Sequence, residues 1–392
     1  VGFGRDECRV SYHNIFKVIC IFYGVIGYSR IKDLQGEFMP HLFEPLTVRG
    51  ITLRNRVGVS PMCMYSYNEG FSNDWQVIHL GARAAGGAGL VIAEATAVEA
   101  RGRITAYDAG IWSDAHIEPL ARVTRVLREN GAVAGIQIAH AGRKAGSRRP
   151  WDIGQPRRAD ELPGWQGVGP SPIAFSADYP TPSELSLGEI REVVQSFRDG
   201  ARRALEAGFE WLELHAAHGY LLHSFYSPLS NQRTDGYGGS FDNRIRLLLE
   251  TVRAVRPMWP ERLPLTVRIS GTDWAEGGWS VDESIELARH LKAEGVDLVD
   301  CSSGGGVSTA KVPIGPGYQV PISEEVRRGA DILTATVGLI TAPVQADEII
   351  RNGRADVVLL GREMLRDPYW ALHAAQALRQ AAPIPAQYLR AF

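Results

Sequence analysis

What is scarce in this sequence narrows its chemistry before any motif is read. Four cysteines, Cys8, Cys20, Cys63 and Cys301, are spread over 392 residues. They form no CxxC pair, which argues against a thiolate zinc site or a cysteine-held iron–sulfur cluster. Cysteines so few and so far apart fit reduced thiols in the cytoplasm better than a disulfide framework. Excess charge is missing as well: 42 Lys and Arg stand against 44 Asp and Glu, a net charge of -2. Nothing in that balance draws the chain toward nucleic acid or an anionic membrane. A hydrophobic content of 45% with 22% charged residues excludes a disordered or collagen-like chain. No internal repeat, low-complexity tract or nicotinamide-specific fingerprint is evident.

The first 38 residues read differently from the rest. Arg5, Arg9 and Lys17 precede an uncharged stretch, Val18 to Tyr28. That stretch is too short to cross a bilayer of ~30 Å as a helix. It has the length of a signal-peptide core, but no small-residue cleavage site follows. The favoured expectation is a leader outside the fold, with the natural start at Met39-Pro40 and a single domain over 39–392.

From residue 41 the pattern alternates. Phe43 to Val57 reads as a hairpin turning around Arg49-Gly50. Eight short β-branched runs follow, at 57–60, 90–93, 133–137, 211–214, 265–269, 298–300, 332–335 and 356–360. Helix patterns lie between them. Ser113 or Asp114 can cap 115–129, Ser186 a helix to about Ala207, and Ser240 one over 241–256. Asp282 stands at the start of 283–294, and Pro343 opens 343–352 ahead of Gly353. Eight such units predict a (β/α)8 barrel with the hairpin as a plug over its N-terminal face; a doubly wound sheet is the rival. The connection 141–185, rich in Pro, Gly and Arg, is long enough to be a functional cap after the third strand.

In such a barrel, chemistry sits at the C-terminal strand ends. Those ends carry Ser60-Pro61-Met62-Cys63, Glu94-Ala95, Gln137, His215, Arg268, Ser302, Gly338 and Gly361-Arg362. Singly, each has a plainer reading. Gln137 could satisfy a buried backbone group, and Arg268 could be half of an ion pair. Together, Gly338, Gly361 and Arg362 suit a phosphate, since glycines let backbone N–H groups approach and Arg adds a charged fork. Gln137 and Arg268 could hydrogen-bond a planar heterocycle. The set suits a phosphorylated, redox-active aromatic cofactor; a sugar phosphate is the plainer alternative.

The densest cluster is His215-Ala216-Ala217-His218-Gly219-Tyr220. The two imidazoles could bind metal, could converge as donors on a carbonyl or nitro oxygen, or could fill a polar gap. Tyr220 could then deliver a proton.

At this density of motifs the sequence resembles the old yellow enzyme family of FMN-dependent ene-reductases, in its bacterial, thermophilic-like branch. The likeness runs from about Leu42 to Phe392. It is carried by SPMCMY at 60–65, EATA at 94–97, QIAHAGRK at 137–144, HAAHGYL at 215–221, SPLSN at 227–231, YGGS at 237–240 and NGRAD at 352–356. The resemblance implies one FMN at the barrel mouth, reduced by NADPH or NADH. Ser60, Pro61, Met62 and Cys63 would line it, Ala95, Gln137 and Arg268 would hold its ring, and Gly338, Gly361 and Arg362 its phosphate. His215 and His218 would hold the substrate's activating oxygen, Tyr220 would donate a proton, and Tyr65 would border the substrate. The substrates would be small activated alkenes: enones, enals, nitroalkenes and maleimides. Arg390 would reach the neighbouring subunit's site in a homodimer or homotetramer. No metal, membrane or nucleic-acid partner is implied. Gly236 and Gln232 depart from the family's common Glu and His. The competing expectations are a metal-dependent barrel lyase or hydrolase using His215 and His218, and a non-catalytic flavin redox sensor.

Overall fold

The computed structural model describes residues 40–152 and 165–391. The expected leader and the middle of the long connection lie outside them. From His41 onward the chain forms one compact unit.

A hairpin comes first. Strands β1 (Leu46–Val48) and β2 (Ile51–Leu53) pair antiparallel, with Leu46 opposite Leu53. Arg49 takes the left-handed φ of 52° that closes the turn. Gly50 N donates to Arg262 O at 2.8 Å and pins the tip.

Strands and helices then alternate. The order begins β3 (Val57–Val59), α1 (Asp74–Ala85), β4 (Leu90–Ala97), β5 (Ala109–Gly110), α2 (Ile117–Glu129) and β6 (Val133–Ala139). It continues β7 (Val168–Gly169), β8 (Ser183–Glu184), α3 (Leu187–Glu206), β9 (Trp211–Ala216), α4 (Leu221–Tyr226) and α5 (Phe241–Val255). Then come β10 (Leu265–Ser270), α6 (Val281–Ala293), β11 (Leu298–Ser302), α7 (Val320–Ala330) and β12 (Leu333–Thr336). The chain closes with α8 (Pro343–Arg351), β13 (Val357–Leu360), α9 (Arg362–Arg366) and α10 (Trp370–Ala377). Strands β3, β4, β6, β9, β10, β11, β12 and β13 pair in parallel, and β3 pairs with both β13 and β4. The sheet therefore closes into a (β/α)8 barrel, as the eight β-branched runs predict.

Local signals set the helix starts. Ser186 accepts from Glu189 N while Glu189 reaches back to Ser186 N, a capping box that opens α3. Ser240 accepts from Asn243 N to open α5. For α6 the cap is Ser280, boxed with Glu283, two residues ahead of the Asp282 expected there.

Alternation along the strands sorts the side chains into two cores. Val91, Leu212, Leu214, Val299 and Val358 face the helices and join the larger apolar cluster. Leu90, Ile92, Trp211, Leu298 and Val357 face inward, where Val48 and Leu53 of the hairpin pack against them. The hairpin thus plugs the N-terminal end. Each large side chain buried there is worth roughly 1.5–3 kcal/mol. One layer higher the inward positions turn polar: Ser60, Gln137, Glu213, Arg268 and Asp300 are each at most 4% exposed. That polar layer is the floor of the site.

The described parts of the 141–185 connection hold a 3-10 turn (Gly142–Lys144) and the short parallel pair β7–β8. Among the described residues, no helix is long and apolar enough to cross a membrane.

Candidate active site

Strand register builds the floor. Gln137 stands opposite Glu213, and Arg268 opposite Asp300. In-register neighbours on the same face meet, so Gln137 Nε2 donates to Glu213 Oε1 at 2.8 Å. Arg268 Nε donates to Asp300 Oδ2 at 2.5 Å, and its Nη2 donates to Ser60 Oγ at 2.9 Å. The plainer reading of Arg268 is thus realised, as half of an ion pair, whereas Gln137 meets a buried carboxyl side chain and not the backbone group expected. Neither use consumes all its donors and acceptors.

The segment after β3 is held from below by Glu94. The β4–β6 register shifts between Ala93 and Thr96, a bulge that re-aims Glu94 and Ala95 at the strand end. Glu94 Oε2 accepts from Met64 N at 2.8 Å. Burial pushes the Glu94 carboxyl well above its usual range, against hydrogen bonds from Met64 N, Tyr67 and Tyr65 N. Cys63, on this segment, is a free thiol. Burial, with Asp108 and Glu94 nearby, pushes its pKa up, so it stays protonated rather than thiolate. Tyr65 meets Trp151 edge-on with ring centroids 5.7 Å apart, which brings the long connection to the mouth.

The bend after β9 gathers the imidazoles and the phenol. The His215 ring stands edge-on to His218 at 5.2 Å and to Tyr220 at 4.9 Å. Ala217 N donates to His215 Nδ1, which fixes the proton of that ring on Nε2. His218 Nε2 lies 2.7 Å from Ser302 Oγ. His218 has φ 60°, and its N donates to Ser270 Oγ at 2.9 Å. Gly219 follows at φ 75°; a Cβ there would lie 2.1 Å from Gly305 O, so only glycine fits. Lys144 Nζ donates to His218 O at 2.8 Å and stands 5.2 Å from the Tyr220 ring centre. Burial, then His218 and Arg268, holds the His215 pKa well below its usual value; burial and Arg268 do the same to His218. Burial pushes the Tyr220 phenol well up, with Cys63 and Tyr65 adding to it. The site therefore presents two neutral imidazoles and a protonated phenol.

A cleft runs from His218, Arg268 and Ser302 to Gly338, Gly361 and Arg362. A Cβ on Gly361 would meet nothing nearer than Met62 Sδ at 3.7 Å, which places the Ser60–Cys63 segment beside this end. Gly338 has φ 134°, open to glycine alone. Arg362 is exposed, and no described carboxylate pairs with it. A cation with no carboxylate partner among the described residues, beside two glycines and joined by one cleft to the buried Arg268, fits a phosphorylated planar cofactor.

Arg390 lies apart from this cleft, exposed on the 3-10 turn Ala386–Ala391. No group of three or more His, Cys, Asp or Glu among the described residues could hold a metal. Sequence reasoning missed Glu213, Asp300, Lys144 and the holding role of Glu94. Glu213 was within reach: it lies two residues before His215, hence on the same face of the strand.

The sequence profile of the NADH:flavin oxidoreductase / NADH oxidase family matches residues 41–381. The chain belongs to this family. An NADPH dehydrogenase of Geobacillus sp. strain WCH70 is 48% identical over 351 residues, covering 89% of this chain and 98% of the relative. The old yellow enzyme homologue from Zymomonas mobilis superposes with a TM-score of 0.72 at 25% identity, covering 88% of this chain and 94% of the other. Morphinone reductase in complex with tetrahydroNAD gives 0.72 at 26% identity, covering 89% and 94%. This flavin oxidoreductase is accordingly an enzyme of the old yellow enzyme type, with FMN as cofactor and a nicotinamide as reductant.

Proposed function

We propose that this flavin oxidoreductase is an ene-reductase for small activated alkenes: enones, enals, nitroalkenes and maleimides. The observation that carries the reading is the His215–His218–Tyr220 bend, with two neutral imidazoles and a protonated phenol converging beside the cleft. FMN bound there would supply the hydride-transfer chemistry that links the nicotinamide to the alkene.

The chain's own residues do the rest. His215 Nε2–H and the His218 ring hydrogen-bond the carbonyl or nitro oxygen and draw electron density from the alkene. Tyr220 O–H protonates the α-carbon, opposite the face that receives hydride. Gln137 and Arg268 would hold the cofactor ring, Ser60 to Cys63 and Ala95 would line it, and Gly338, Gly361 and Arg362 would take its phosphate. Tyr65, with Trp151 against it, borders the substrate and limits water. Arg390, exposed on its turn, completes the site of a neighbouring subunit in a homodimer or homotetramer.

Stereochemical labelling tests this reading. NADPH deuterated at the transferred position, turned over with a substituted cyclohexenone, is expected to label the β-carbon. The α-hydrogen is expected to come from solvent on the opposite face. Label outside the β-carbon, or both hydrogens on one face, contradicts the assignment.

A further inference from the structure

We infer that Glu213 and Asp300 hold one proton between them, and that this shared proton positions Gln137 and Arg268, the residues that would hold the cofactor ring. The second half rests on the reading proposed above; the first does not.

Two carboxyl groups face one guanidinium here. Arg268 Nε lies 2.5 Å from Asp300 Oδ2 and 3.8 Å from Glu213 Oε1. Glu213 is 1% exposed and Asp300 0%. Below them the interior is closed by Leu90, Ile92, Trp211 and Leu298. If both carboxyls were ionised, an uncompensated negative charge would sit in an apolar interior. Hydrogen-bond accounting reaches the same result. Arg268 satisfies Asp300 Oδ2 and Gln137 satisfies Glu213 Oε1. Asp300 Oδ1 is buried and has no donor. The two carboxyls flank the same Arg268 guanidinium, and burial raises both above their usual values. A proton on Glu213 Oε2 supplies the missing donor, leaves Oε1 free for Gln137, and makes the Arg268–Asp300–Glu213 group neutral.

The direction of the Glu213 shift agrees: burial and then the Asp300 charge push it up to about 8, against Arg268 and Gln137. The charged and titratable groups around it are Arg268 on β10, Asp300 on β11 and His215 on its own strand; β6 presents the uncharged Gln137. Glu94 on β4 is a second raised carboxyl, tied to Met64 N.

The proton has consequences above it. Because Gln137 Nε2 is committed to Glu213, its Oε1 is left as a free acceptor. Because Asp300 receives a donor on Oδ1, it holds Arg268 through Oδ2 without competition from a second anion. Glu213→Gln is the neutral mimic of this state: its amide N–H serves Asp300 Oδ1 and its Oε1 serves Gln137.

Two measurements on wild type and E213Q test the inference. Infrared spectra of the FMN-free protein at pH 7 are expected to show a deuterium-sensitive carboxylic acid carbonyl band that E213Q lacks; a Glu94 band would persist in both. FMN titrations by flavin fluorescence are expected to show wild-type Kd rising about tenfold per pH unit above the Glu213 inflection, with E213Q flat. No E213Q-sensitive acid band overturns the shared proton. A band with a flat wild-type profile, or the same slope in E213Q, overturns the positioning role. Wild type that binds no FMN at any pH removes the cofactor reading and the positioning role with it, and the infrared band then decides the shared proton alone.

Discussion

Arg268 Nη2 donates to Ser60 Oγ at 2.9 Å across the barrel, although 208 positions separate the two residues in the chain. The bond ties the fifth barrel strand to the segment after the first, and it joins the buried polar floor to the Ser60–Cys63 wall. Disturbing either side of the site should therefore be felt at the other.

Tyr220→Phe is expected to slow oxidation of the reduced enzyme by enones about 10²–10⁴-fold, the usual worth of a positioned general acid. Reduction by NADPH should be nearly unchanged. Stopped-flow measurement of the two half-reactions separates these; equal loss in both contradicts the proton-donor role.

His215→Ala removes a donor whose tautomer is fixed by Ala217 N at 3.2 Å. Turnover with enones is expected to fall about 10²–10³-fold, with FMN binding retained. Burial holds both imidazoles well below their usual pKa. The wild-type oxidative half-reaction should therefore show no histidine inflection between about pH 6 and 8.

Arg362→Ala is expected to weaken FMN binding by roughly 10–100-fold, the loss of one charge-assisted contact to phosphate. Fluorescence titration measures it, and added salt should narrow the difference between the proteins.

The buried Asp273 supports the same bend from behind. His223 Nε2 lies 2.9 Å from Asp273 Oδ1, and Gly219 N donates to His223 Nδ1. Burial would raise the Asp273 carboxyl, but His223, Ser227 and Trp279 N outweigh it and hold it at about 2, below the ordinary 3.8. A depressed folded-state pKa contributes stability above the unfolded value that is lost as pH falls from about 4 toward 2. Denaturant unfolding across that window should show a loss of about 2 kcal/mol, which Asp273→Asn removes from the profile. At neutral pH that variant should be less stable by about 2 kcal/mol, because it removes the buried carboxylate that His223, Ser227 and Trp279 N hydrogen-bond.

Much of this was legible in the sequence because the signals are local. Eight β-branched runs spaced by capped helices leave few closed alternatives, and Ser186 and Ser240 open helices where their spacing predicts. The capping box of Asn73 with Gln76 was equally readable ahead of α1, and went unused. What stayed hidden depends on register. The bulge between Ala93 and Thr96 turns Glu94 toward Met64, and no residue type announces it. Asp300 matters because it lies opposite Arg268, a pairing that exists only once β10 and β11 are side by side. The pair β7–β8 has two residues on each strand, too few for any periodicity to show.

The most direct test of the account is an anaerobic spectral titration of the FMN-loaded protein with NADPH, followed by 2-cyclohexenone. The account predicts that NADPH bleaches the flavin spectrum and that the enone restores it, with one saturated ketone formed per flavin. Bleaching that persists after the enone is added, or recovery without saturated product, contradicts ene-reduction at this site.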